Sequence, residues 1–353
     1  MRLNLKFICL GLMLFAAIQL NAQISQYALP TPHKVCNPLI QRVSIPPMGY
    51  EKVGTTTLRS LNEQHCLPDL DVISICTDKR GVVWFGFRSG EIACYDGNDI
   101  VTFDQVNFFK AHPILNIICD SQGNLWFGTW GNGLIKYDGY CFYQYSTNNG
   151  WISDNISCIF EDSANRIWVG TSDNGIVCIE KDTYSRITKN DGINGNSVWT
   201  ISEDYESIIW LGDENGLCRL KFFEKNLTIL ENYPISIPVR SIIHNNQVTL
   251  LGTEKGLLIV ENNAIVQQDF AIQGPVYSMI KSFYDERNIL IASRDNGLFI
   301  YSNDSLHSVG RKLEFNSTDL ICIEEGHDHS LWIGTLNNGV LKYSTQQFQN
   351  YDS

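Results

Sequence analysis

A ten-residue phrase recurs along this chain at nearly constant spacing, and no other feature restricts its fold so severely. Asp120-Ser-Gln-Gly-Asn-Leu-Trp126-Phe-Gly128-Thr129 returns as Asp78 to Trp84-Phe-Gly86 and as Asp162 to Trp168-Val-Gly170-Thr171. Further copies run from Asp204 to Gly212 and from Gly326 to Thr335. Two degenerate ones, Leu250-Leu-Gly252-Thr253 and Leu290-Ile-Ala292-Ser293, complete the series. With positions 84, 126, 168, 210, 250, 290 and 332 taken as equivalent, the intervals are 42, 42, 42, 40, 40 and 42 residues. A period of this length marks supersecondary units that bury their apolar faces only against their neighbours.

Each unit has the same order. An alternating, β-branched run such as Ile156-Ser-Cys-Ile159-Phe has the period of a strand. An Asp-x-x-Gly or Asp-x-x-Asn turn follows, its last residue suited to the left-handed conformation of a short hairpin loop. Trp-x-Gly-Thr forms the second strand, a Gly-led run such as Gly133-Leu-Ile-Lys-Tyr137 the third, and Phe142-Tyr-Gln-Tyr145 a fourth. Without amphipathic helices between them, seven such units predict an all-β chain folded as a single seven-bladed β-propeller of four-stranded antiparallel blades over residues 70–353. Trp and Gly of the phrase are read as architecture: the ring fills the space between splaying blades and the Gly admits a neighbouring backbone. Residues 23–69 form a separate N-terminal segment. Its Thr56 to Asp69 portion aligns with the fourth strand and connection before each unit, so it is a candidate ring-closing strand, as is Gln347 to Tyr351 at the other end. Residues 23 to about 55, with five prolines, read as extended or loosely packed.

Lys and Arg number 26 against 38 Asp and Glu, a net charge of −12, which argues against a phosphate-tracking surface and against nucleic acid as partner. Arg2 and Lys6, the apolar run Phe7 to Leu20, and Leu20-Asn21-Ala22 before Gln23 have the layout of a secretory signal peptide over residues 1–22. At about 14 residues that run falls short of the roughly 20 that span a bilayer, so cleavage is expected over an uncleaved anchor, giving a periplasmic or secreted protein with no membrane span. Most cysteines after Cys9 occupy strand positions that other repeats fill with small or polar residues, and read as buried free thiols. Cys36 and Cys66, outside the regular repeats, are the expected disulfide pair. His327-Asp328-His329 lacks a third ligand nearby and reads as a surface turn; neither a metal site nor a cofactor is expected.

The phrase from Asp120 to Asp138, and again from Glu161 to Gly175, resembles the two-component regulator propeller repeat, found in periplasmic sensor halves of hybrid two-component systems, notably in Bacteroidetes. The resemblance covers about residues 70–353, and five copies keep the Trp while blades five and six lose it together with the Asp-Gly turn. It implies an exported, non-catalytic sensing propeller that binds a small, glycan-derived ligand or a partner protein such as a separate membrane sensor kinase. No phosphoacceptor-histidine motif or Gly-rich nucleotide box accompanies the repeats.

In such a ring, the loops after the second strand and those between blades share one face around the central funnel, where binding residues are expected. They offer Arg88, Trp130, Trp151, Asp154, Asp173, Asp213, Arg294 and Asn337 as ligand-binding candidates. Trp130 and Trp151 suit stacking, Arg88 and Arg294 suit carboxylate or sulfate, and Trp199 is read as packing. The alternatives are a propeller lyase or hydrolase using these carboxylates with His112, and a protein-interaction scaffold. An enzyme should gather a His and two carboxylates at the funnel, a binder an aromatic shelf flanked by Arg or Asn.

Overall fold

A computed structural model describes residues 20–45, 51–53, 56–104, 106, 108–223, 226–245, 248–261, 263–266, 272–282, 285, 287–309 and 319–344. Seven antiparallel sheets stand around a channel, and their innermost strands are Val72–Thr77, Ile114–Cys119, Ile156–Glu161, Val198–Glu203, Val239–His244, Val276–Lys281 and Leu320–Glu325. Each innermost strand contacts the next around the circle, and the seventh meets the first, so the ring is closed. The all-β, seven-bladed reading holds, with one change: five blades carry a fifth strand.

The Asp of the recurring phrase explains why the hairpins are so regular. In blade two, Asp120 Oδ1 accepts the backbone N–H groups of Gln122 (3.0 Å) and Asn124 (2.7 Å), while Oδ2 accepts Trp126 Nε1 at 2.8 Å. The same triple arrangement recurs at Asp78, Asp162 and Asp204 with Trp84, Trp168 and Trp210. One carboxylate therefore caps the turn and fixes the rotamer of the indole that fills the cleft between blades. Hydrogen bonds to Arg80, Trp84 and the turn backbone outweigh the burial of Asp78 and hold its carboxyl below the ordinary range. The last residue of the turn is left-handed whether it is Gly123, Asn165, Ser207 or His329. In blade seven Gly326 stands in place of the Asp, and Trp332 Nε1 is buried without an acceptor.

The apolar core lies between sheets. Trp84 of blade one is 2% exposed and packs with Ile114, Leu125 and Phe127 of blade two. Gly128 of Trp-x-Gly permits that approach: a Cβ there would stand 2.9 Å from Ile156 Cγ2 of the following blade.

Of the two readings of the N-terminal segment, its described residues show the extended one. It runs backwards around the rim, adding Leu20–Gln23 to blade four, Gln26–Ala28 to blade three, His33–Cys36 to blade two and Leu39–Ser44 to blade one, each antiparallel to that blade's outer strand. It then supplies Thr56–Leu61 as the fourth strand of blade seven, beside Val340–Ser344, with Glu51–Val53 outside it. Its first strand includes Leu20–Ala22, which cleavage before Gln23 would remove. The alternative closing strand, Gln347 to Tyr351, lies outside the described residues.

The expected Cys36–Cys66 pair is not formed. Cys36 is bonded to Cys141, its direct partner across the belt and the outer strand of blade two, and Cys66 is an exposed free thiol in a left-handed turn. Spacing misled here because Cys141 sits within a repeat, at a position whose neighbour is visible only once the belt is placed. Cys76, Cys94, Cys158, Cys178 and Cys218 are buried and free, and burial pushes the Cys94 and Cys158 thiols up to about 12.

Two outcomes follow. Asp120→Ala leaves two backbone donors and an indole N–H without their acceptor and should lower unfolding free energy by about 3 kcal/mol in denaturant titrations. The 105-residue span closed by the disulfide corresponds to about 4–5 kcal/mol in the chain-entropy account. Cys141→Ser should therefore lower the melting temperature and make the 20–45 belt the first site of limited proteolysis, read by mass spectrometry.

Candidate functional site

All seven innermost strands carry the same irregularity. Pairing with the second strand shifts register after the first residue, between Val72 and Ser74 in blade one and at the equivalent pair in every other blade. Such a bulge turns the extra residue out of the ladder. The residues so placed are Ile73, Leu115, Ser157, Trp199, Arg240, Tyr277 and Ile321, and all of them line the channel. A backbone bond fixes the neighbouring loop in each blade: the residue following the second strand donates its N–H to the loop before the first strand. Arg88 N to Asp71 O (3.0 Å), Trp130 N to Pro113 O (2.9 Å) and Arg294 N to Pro275 O (3.0 Å) are three of the seven cases. The frame is thus uniform, and the side chains it presents are not.

The cavity has a volume of about 730 Å³. Arg88, Trp130 and Arg294 line its mouth, as expected. Arg88 lies 3.7 Å from Asp71. The ring of Trp130 is 39% exposed and nearly parallel to that of Trp199, at 8° with 6.2 Å between centroids. Trp130 belongs to blade two and Trp199 to blade four; the intervening bulge position of blade three is Ser157, small enough to let the two rings approach across it. The guanidinium of Arg240 sits 3.9 Å above the Trp199 ring, while its Nε donates to Glu254 Oε1 at 2.5 Å. Trp199 is therefore part of the channel wall rather than interior packing, and its Nε1 is buried with no acceptor.

Five expected site residues lie elsewhere. Trp151 is only 3% exposed: the turn Thr147–Asn149 folds it back, its N–H bonding Ser146 O, and seats its ring beside Tyr145 and Tyr184 between blades two and three. It cannot offer a face to a ligand. Asp154 is occupied in loop structure, accepting Thr147 N (2.8 Å) and Thr147 Oγ1, and Asp173 accepts Ser153 Oγ at 2.6 Å. Asn337 is exposed and left-handed, its N–H bonding Asp71 Oδ1 at 2.8 Å. None of these four lines the channel.

Asp213 is the fifth. Blades two, three, five and seven end their second strand in a Thr whose Oγ1 donates to a Gly carbonyl, as Thr129 does to Gly133 O at 2.8 Å. Blade four has Asp213 there, 1% exposed, with Oδ2 unpartnered and the carboxyl raised to about 6 by burial.

Sequence reading took Trp199 as packing because the alternation of a first strand hides the bulge that turns it to the channel. Aligning Trp199 with Arg240 and Tyr277 in the repeat frame would have found it. Deeper in the channel lies Glu324, partly open to the lumen but surrounded by protein; Thr77 N donates to its Oε1 at 3.1 Å, and burial raises its carboxyl to about 7. Among the described residues, no group of three His, Cys, Asp or Glu side chains is arranged to hold a metal, and no helix is long and apolar enough to cross a membrane.

A closed ring with a regular frame and an individualised mouth defines a seven-bladed β-propeller. Three stretches, residues 66–89, 109–131 and 150–173, match the two-component regulator propeller family model. The fold matches the extracellular domain of a protein assigned as a hybrid two-component system from B. thetaiotaomicron, at 20% identity and a TM-score of 0.68, over 81% of this chain and 41% of that one. A second such domain from the same organism gives 19% and 0.62, over 78% and 38%. The chain thus spans about two fifths of the length of these two structures. A catalytically inactive variant of virginiamycin B lyase from Staphylococcus aureus, solved with quinupristin, gives 15% and 0.64, over 82% of this chain and 99% of that one. A search of curated proteins finds no match.

Glu324 gives the site a measurable pH signature. Its folded pKa of about 7 lies above its ordinary 4.5, so the fold favours the protonated acid. That stability is full below about pH 4.5 and is lost as pH rises through about 7. Allowing for the open lumen on one side, Glu324→Gln should gain about 2 kcal/mol over the native chain at pH 8 and almost nothing at pH 4, measured by urea unfolding at both.

Proposed function

We propose that this chain is a sensing propeller that binds a small ligand at the channel mouth and acts outside the cytoplasm, periplasmic or secreted, after removal of residues 1–22. The observation that carries this reading is the contrast between frame and mouth. Seven identical bulges and seven identical loop bonds hold Trp130, Trp199, Arg240, Tyr277, Arg88 and Arg294, which differ from blade to blade. Rings flanked by guanidinium groups form the kind of surface that binds rather than cleaves, and among the described lining residues Glu324 is the one carboxylate. The family of the three matched repeats supports a sensing role, and a separate membrane kinase is the partner that would read the bound state. Glycan-derived compounds belong in the ligand screen on that family ground alone.

A second reading, a lyase, has one observation in its favour: the ring superposes on nearly the whole length of virginiamycin B lyase. At 15% identity that likeness concerns the fold.

The test is a thermal-shift screen of the mature chain against glycan fragments and amino-acid-like compounds, repeated with Trp130→Ala and Arg294→Ala. A ligand at about one hundred times its Kd should add about 2.7 kcal/mol to stability, a rise the two variants should lose. A hit that stabilises both variants as well as the native chain would move the site away from the mouth, and turnover of any compound would favour the lyase.

A further inference from the structure

The mouth is rich in donors and poor in acceptors, on a chain whose net charge is −12. Arg240 is already engaged by Glu254 and by the Trp199 face. Arg88 has only the 3.7 Å pair with Asp71, and its side chain is 60% exposed. Arg294 is exposed, lines the same cavity, and forms no ion pair or side-chain hydrogen bond with a described residue. Between these two, in blade seven, the corresponding residue is Leu336, which is neutral and apolar. The mouth therefore carries an Arg, Leu, Arg sector over blades six, seven and one, next to the exposed Trp130 ring of blade two.

The exposed face of Trp130 supplies an independent sign: at 39% exposed it offers an apolar ring surface in the same cavity. Resting on the mouth being the ligand site, we propose that the ligand is an organic anion with a flat apolar body, an aromatic carboxylate or sulfonate. Its ring packs against Trp130 and Tyr277, and its anionic group meets Arg294 and Arg88. A guanidinium recognises either oxyanion through paired N–H donors, and an aromatic body matches the ring faces as a saturated acid does not. The Arg240–Glu254 pair holds Trp199 in place and is a positioning element rather than a contact.

The probe is naphthalene-2-carboxylate, titrated into the full mature chain by calorimetry and by intrinsic tryptophan fluorescence. Two controls accompany it: naphthalene-2-carboxamide has the ring without the charge, and acetate the charge without the ring. The carboxylate should bind and quench fluorescence, the amide should bind at least about ten-fold more weakly, and acetate should not register. Arg294→Gln should lose about ten-fold in affinity, and raising salt from about 50 to about 500 mM should weaken the native chain more than the variant. Unfolding curves of Arg294→Gln and Trp130→Ala establish that both remain folded. Equal binding of amide and carboxylate, or an unchanged Arg294→Gln, overturns the anionic class. If neither naphthalene compound binds while a hit from the thermal-shift screen still requires Trp130, the class is wrong and the mouth survives. Screening hits indifferent to both substitutions would instead overturn the mouth reading itself.

Discussion

The Asp of the first hairpin in blades one to four organises this ring. One oxygen caps the turn that joins the first two strands, and the other holds the indole that the next blade packs against, so turn geometry and inter-blade packing are set by one side chain. Without a tether, a Trp at that depth would have to bury its N–H unpaired, as Trp332 does where Gly326 replaces the Asp. Blades five and six, which have neither residue, fill the same space with Leu250 and Leu290 and need no acceptor. The repeat thus has two self-consistent versions, polar-anchored and aliphatic, and blade seven falls between them.

On this frame the individualised face is made by an irregularity. A regular first strand would alternate its side chains between the two neighbouring blades; the bulge after its first residue turns one side chain per blade into the channel instead. That residue is outside the strand ladder, and Ile, Leu, Ser, Trp, Arg and Tyr all occur there, Ser157 donating its hydroxyl to Val198 O of the next blade. Trp130 and Trp199 meet only because Ser157 takes the place between them, so the mouth is a combination of positions and not a motif.

Legibility in the sequence follows the same division. The ring, its seven blades and the Asp-x-x-Gly turns were readable because each is written several times over. Arg88, Trp130 and Arg294 were readable because they directly follow a repeated landmark. Trp199 was misread because an alternating pattern hides a one-residue bulge, and Trp151 because the short turn before it folds the chain back and directs its ring inward. The N-terminal belt could not be found from periodicity at all: its strands are three to six residues long, belong to different sheets, and follow no repeat of their own. The Cys36–Cys141 bond was invisible for the same reason.

The backward course of that belt has a consequence for how the molecule is made. Leu58 to Leu61 pair with Val340 to Tyr343, nearly the whole chain away, and the belt strands before them wait on blades four to one. During synthesis the belt strands find their partners as blades one to four appear, whereas Thr56–Leu61 has none until blade seven exists. Closure of the ring is therefore a late event, in which that strand seals blade seven. A chain that stalls before its seventh blade is left as an unsealed arc of exposed strands, open to pairing with its neighbours.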